Sequence, residues 1–189
     1  MFGMVMDLSE EKDETKFQET FKRIEKYEGI SDNMEIEIAR YLEQVSDAHL
    51  SDDTKGKIRR MLRVISEIES IGDACYNLAR TLHRKFDAKK EFTESQHTQL
   101  KRMMELTDDA LTQMNVVMNG RKEEQNMKET ERLENEINEL RTVLKNKNIQ
   151  DVNNHLYDYS VGTIYIDLIN ECEKLGDYVV NVMEARLGN

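Results

Sequence analysis

Residues Ile65–Asn77, ISEIESIGDACYN, return 104 positions later as Ile169–Asn181, INECEKLGDYVVN. Ile, Glu, Glu, Gly, Asp and Asn coincide at six of the thirteen positions, more than shared composition alone produces. A long segment that recurs at a fixed distance is one structural unit used twice. The chain of 189 residues therefore divides into two similar halves, near 1–90 and 93–189.

The spacing of apolar residues tells what each half is made of. Phe17, Phe21, Ile24, Ile38, Leu42 and Val45 recur at three and four residues, as does Met61, Ile65, Ile68, Gly72, Cys75, Ala79 and Leu82. Further seams run through Leu100, Met104, Leu111, Met114 and Val117, through Leu133, Ile137, Leu140 and Leu144, and through Leu168, Cys172, Leu175, Val179, Val182 and Met183. That period belongs to helices packed on one face. No stretch alternates like a strand, and the chain has no proline. Ser51 reads as an N-cap, Thr93-Glu94-Ser95-Gln96 as a capping box, and Gly120 as a C-cap glycine. Asn146–Asp151 reads as a polar turn with Asp151 capping the next helix. Helices are expected at 15–47, 52–89, 94–119, 122–147 and 152–187. MFGMVMDL at the start resembles MNVVMNG at Met114–Gly120, and each precedes a short acidic turn. It reads as the end of a helix whose earlier part is missing, with Met1 not the natural start. The expected fold is all-α: two tandem antiparallel three-helix bundles, the first helix of the first unit truncated.

Composition narrows the function. The 38 acidic residues outnumber the 27 basic ones, leaving a formal charge of −11. Such a surface repels nucleic acid and anionic membranes, so neither is an expected partner. No apolar run approaches the roughly 18–20 residues of a membrane helix, and no signal peptide is visible. Cys75 and Cys172 form no CxxC pair, which suggests a reducing compartment.

The repeat centres on Glu-x-x-x-Asp: Glu69 with Asp73, and Glu173 with Asp177. A spacing of four puts both carboxylates on one helix face. Glu28 and Asp32 make a further pair, in a telling position. The seam Phe17-Phe21-Ile24 should continue through positions 28, 31 and 35 before Ile38, and those positions hold Glu28, Ser31 and Glu35. Acids therefore interrupt an apolar stripe. Converging carboxylates need protons, Lys or Arg partners, or a metal. Oxygen donors without thiolate suit Mg, Ca, Mn or oxidised iron, and permit zinc. Gly72 and Gly176 precede the aspartates, and a missing side chain there lets a helix or ion come close. The competing readings are a solvated acidic face and ion pairing with Lys26, Arg63 or Arg80. Glu105 and Asp109 form such a solvated pair, off the apolar seam.

YEGISDNMEIEI, ESIGDACYN and EKLGDYVVN resemble the motifs of PhoU domains. The likeness is to the cytoplasmic PhoU-like domain that follows the membrane part of bacterial Na/phosphate cotransporter family proteins. It implies two spectrin-like three-helix repeats, each holding a metal cluster through acidic motifs on two helices. Iron is the metal it implies first, with zinc, manganese, magnesium or nickel as alternatives. It implies a regulator of phosphate uptake and homeostasis, not an enzyme, in the cytoplasmic domain of an inner-membrane protein. The partners it implies are the membrane transporter domain of the same polypeptide and phosphate-signalling proteins, with a homodimer as a further arrangement. Carried over by position, the first cluster uses Glu28, Asp32, Glu69 and Asp73, with Glu35 as a lesser addition. In the second unit LENEINEL aligns Glu134 with Glu28, while Asn138 stands in place of the aspartate. Glu134, Glu173 and Asp177 then remain as ligands, and fewer ions or none are expected there. Asn77 and Asn181 would support the ligands rather than bind metal.

The remaining residues carry less. His49, His83 and His155 lie near helix ends or turns and read as surface residues. Glu94-x-x-His97 is a single match where a di-iron oxidase wants two. Met103, Met104, Met114 and Met118 read as adaptable core, and Cys75 and Cys172 as small core residues. Tyr157, Tyr159 and Tyr165 are expected at the interface between units. No nucleophile-and-base set or phosphate-cradling glycine loop is visible. The alternative to a metal-binding regulator is a helical interaction scaffold without metal.

Overall fold

A computed structural model describes residues 1–46, 50–120 and 127–187. Six helices follow in order: α1 (Phe2–Glu10), α2 (Glu14–Ser46), α3 (Asp52–Asp87), α4 (Glu94–Asn119), α5 (Lys128–Asn153) and α6 (Tyr159–Leu187). There is no strand among the described residues, so the all-α expectation holds. α2 and α3, at 33 and 36 residues, are each about 50 Å long at 1.5 Å per residue.

The helices α1, α2 and α3 pack on one another, α4, α5 and α6 on one another, and the two groups meet along α3 and α6. One continuous apolar core joins them, running from Phe2, Val5 and Leu8 through Ala74, Cys75 and Leu78 to Leu168, Cys172 and Leu175. Both cysteines are buried free thiols.

Local chemistry sets several boundaries. Ser51 caps α3 by accepting from the Thr54 N–H. Thr93 and Gln96 form the full capping box of α4. Gly120 ends α4 with φ −82°, so the glycine is not used for a left-handed turn there. The expected end of α2 at position 47, His49, and the expected start of α5 at 122 lie outside the described residues.

Three expectations are corrected. First, Asn146–Asp151 is helix, not turn, and Asp151 does not begin α6. Leu144 and Asn148 continue the buried stripe of α5, and the Tyr157 hydroxyl donates to Asn148 Oδ1 at 3.0 Å. Tertiary burial overrides the weak helix propensity of the Asn-rich segment. The chain turns instead at Asn154–Asp158, where His155 takes φ 57°. Second, the tyrosines do not gather between units. Tyr159 is exposed, while Tyr165 is buried edge-on to Phe92. Third, Met61, Ile68 and Ile38 sit on apolar seams but are exposed, because no helix among the described residues lies over that end of α2 and α3.

Candidate metal centre

The carboxylates of the first unit converge from two helices. α2 contributes Glu28, Asp32 and Glu35, and α3 contributes Glu69 and Asp73. Glu28, Asp32 and Asp73 each offer an oxygen within 4.8 Å of the other two. Among the described residues, this is the one group of three His, Cys, Asp or Glu side chains that meets so closely. Gly72 makes the approach possible. A Cβ there would meet Ser31 Oγ at 3.2 Å, so a larger residue would require the Ser31 side chain to give way by a few tenths of an ångström.

Electrostatics at this place are one-sided. Partial burial, then the charges of Asp73, Glu35 and Asp32 and a hydrogen bond with Asp73, push the Glu69 carboxyl up to about 7. Burial, then Asp32, Asp73 and Glu25, raises Glu28. Among the described residues, the charges that shift Glu28 and Glu69 are those of neighbouring carboxylates. Arg63 turns away to Glu184 at 3.0 Å, and Arg80 lies over the Tyr76 ring. The expected alternative of pairing with those arginines is therefore not what the structure contains.

The second unit is built differently at the same place. Gly176 again precedes the aspartate, and a Cβ there would meet Ile137 Cδ1 at 3.3 Å. Asn138 donates through its amide to Glu134. Burial raises Glu173 and Asp177, but the guanidinium of Arg141 opposes the rise in both. Arg141 also donates from Nε to Asn170 Oδ1 at 3.2 Å. The second cluster thus has a cation supplied by the chain itself.

Residues 1–82, which include α1, α2 and most of α3, match the family model of the PhoU domain. This stretch is PhoU-like. The matched segment contains all five carboxylates of the first cluster. No curated protein and no solved structure matches the chain.

In the matched stretch the structure brings Glu28, Asp32 and Asp73 together, with Glu69 and Glu35 acting on the same spot. Glu134, Glu173 and Asp177 of the second unit share one region but do not meet as a group of three. Asn181 donates to Glu67 at 3.0 Å, across the seam between units rather than toward Glu173 or Asp177. Sequence reasoning overlooked Arg141. Its signal was present: continuing the alignment of LENEINEL by one residue sets Arg141 against Glu35. His83 is half-buried rather than superficial, its ring tilted against Phe17 and Phe21 with Nδ1 3.0 Å from Asp87. His97 pairs with Glu10 at 3.2 Å, between α4 and α1.

The first cluster fits a hard cation. Its donors are oxygens alone, they come from two helices, and among the described residues the charges that act on Glu28 and Glu69 are carboxylates. Bound there, an ion would neutralise carboxylates that otherwise repel.

Proposed function

We propose that this chain is a metal-binding regulatory domain in phosphate homeostasis, the cytoplasmic part of a sodium-dependent phosphate transporter. The observation that carries the metal is the meeting of Glu28, Asp32 and Asp73, with no compensating cation among the described residues. The PhoU match of residues 1–82 supports the phosphate role. The transporter setting rests on the motif resemblance alone, and no helix among the described residues is long and apolar enough to cross a membrane.

Glu28, Asp32, Glu69 and Asp73 hold the metal in this reading, with Glu35 close behind them. Iron is the first candidate, and zinc, manganese, magnesium and nickel follow. Glu134, Glu173 and Asp177 hold none, because Arg141 supplies their positive charge. The domain regulates and does not catalyse.

Elemental analysis of protein purified without a metal-affinity tag or chelator tests this. Iron, zinc or manganese at about one or more atoms per chain, lost in Glu69→Ala/Asp73→Ala, is expected. No metal after loading with excess ferrous iron or zinc would overturn it. A scaffold that works by docking is the second reading, and the exposed apolar face of α2 and α3 favours it.

A further inference from the structure

The repeat allows the two ends of the α3–α6 seam to be compared with each other. At an offset of 104, Arg63 corresponds to Asp167, Glu67 to Glu171, Asn77 to Asn181 and Arg80 to Glu184. At one end these positions bond across the seam: Arg63 donates to Glu184 at 3.0 Å, and Asn181 donates to Glu67 at 3.0 Å. Carried to the other end, the same register would pair Arg80 with Asp167 and Asn77 with Glu171.

Neither of those two pairs forms. Asp167 is taken by Arg84, and Glu171 by Lys174. Arg80 keeps its place over the Tyr76 ring but has no ion pair among the described residues, and the Asn77 amide has no hydrogen bond among them. In place of a closed seam there is a cleft of about 680 Å³. Arg141 enters its wall from α5. Its Nε donates to Asn170 Oδ1 at 3.2 Å, and its Nη groups have no hydrogen bond among the described residues.

The charges in the cleft do not cancel. Arg84 offsets Asp167 and Lys174 offsets Glu171, which leaves Arg80 and Arg141 against the single carboxylate of Glu173. In a chain of net charge −11 this is a local reversal of sign. Guanidinium groups present planar sets of N–H donors that match the oxygens of phosphate or carboxylate. The amides of Asn77 and Asn170 and the Thr81 hydroxyl add neutral donors on the same wall. No aromatic ring lines the cleft among the described residues, so nothing there stacks on a base. Its volume lies within the roughly 300–1,000 Å³ of small-molecule sites.

We infer that this cleft binds an oxyanion of the phosphate class, held between Arg80 of α3 and Arg141 of α5. The anion supplies the negative charge that Asp167 and Glu171 give to other partners. It closes the open end of the seam, as Arg63 and Asn181 close the other. The site uses none of the five carboxylates of the first cluster, so it stands or falls apart from the metal reading.

Calorimetric titration of the full chain in chelator, with inorganic phosphate and with pyrophosphate, tests this. One saturable site per chain is expected. Arg80→Gln and Arg141→Gln should each weaken it by about tenfold or more, since each removes a charge-assisted contact. Arg132→Gln, at an exposed arginine paired with Glu129, should leave it unchanged. Tighter phosphate identifies the free ion as the ligand, and tighter pyrophosphate a longer phosphorylated compound. No saturable binding of either anion overturns the inference, as does binding that either cleft variant leaves unchanged. Should Arg141→Gln lose its helical circular dichroism, Arg141→Lys is read instead, with the same weakening expected from the lost planar fork.

Discussion

Glu35 of α2 and Arg141 of α5 hold the same place in the repeat and carry opposite charge. Glu35 raises the proton affinity of Glu69, whereas Arg141 lowers that of Glu173. One duplicated site has therefore been kept acidic and the other neutralised from within.

Reversing that difference should create a site. Asn138→Asp/Arg141→Glu rebuilds the five-carboxylate pattern of the first unit on α5 and α6. The variant should take up additional metal relative to the native chain, measured by elemental analysis after equilibrium dialysis. Arg141→Met alone should destabilise the metal-free protein by up to about 1 kcal/mol at neutral pH, because these carboxylates are largely solvated. Urea midpoints measure that loss.

Stability of the metal-free chain should fall as pH rises toward neutrality. The Glu69 carboxyl sits at about 7 in the fold against an ordinary 4.5. Between those values the folded state holds the proton more tightly than the unfolded one. The contribution is thus fully present below about 4.5 and lost as pH rises through about 7. Urea midpoints from pH 4.5 to 8 in chelator should show this slope. Glu69→Gln should flatten it, and added manganese should raise the midpoint most at the alkaline end.

Gly162→Ala should destabilise although Ala is the better helix former. A Cβ there would lie 2.6 Å from Val152 Cγ2 and 3.2 Å from Asn148 Oδ1. The clash falls where α5 turns back onto α6, and overpacking of this kind costs about 1–3 kcal/mol. A lower thermal midpoint with unchanged metal content is the expected result.

Leu140 and Met34 make a matched pair for measuring burial. Leu140→Ala should cost about 2–5 kcal/mol, as for a core leucine. Met34→Ala at the corresponding position should stay within about 0.5 kcal/mol, because the side chain is already in water. Equal losses would show that the α2–α3 face is covered in solution.

Much of this molecule was legible before its structure. The seams through Leu78's neighbours Cys75 and Leu82, and through Leu168 and Leu175, identify α3 and α6 because period and burial coincide there. Glu28, Ser31 and Glu35 announce the candidate site by breaking such a seam. Two things were hidden. The extension of α5 through Asn153 depends on Tyr157 reaching back to Asn148, a contact nine residues apart that no local propensity encodes. The exposure of Met61 and Ile68 depends on how the described helices are arranged around them, and periodicity reports only that a face is apolar. Arg141 is legible in the alignment itself, one residue beyond the carboxylate motif, where it stands against Glu35.

The uninterrupted core across α3 and α6 gives the duplication an unexpected outcome. Arg63 reaches Glu184, Asn181 reaches Glu67, and Arg84 reaches Asp167, all over a floor of shared apolar side chains. Two inherited copies have in this way surrendered their independence. Neither half, expressed by itself, would retain its own inner wall, and heating should melt both in one transition rather than two.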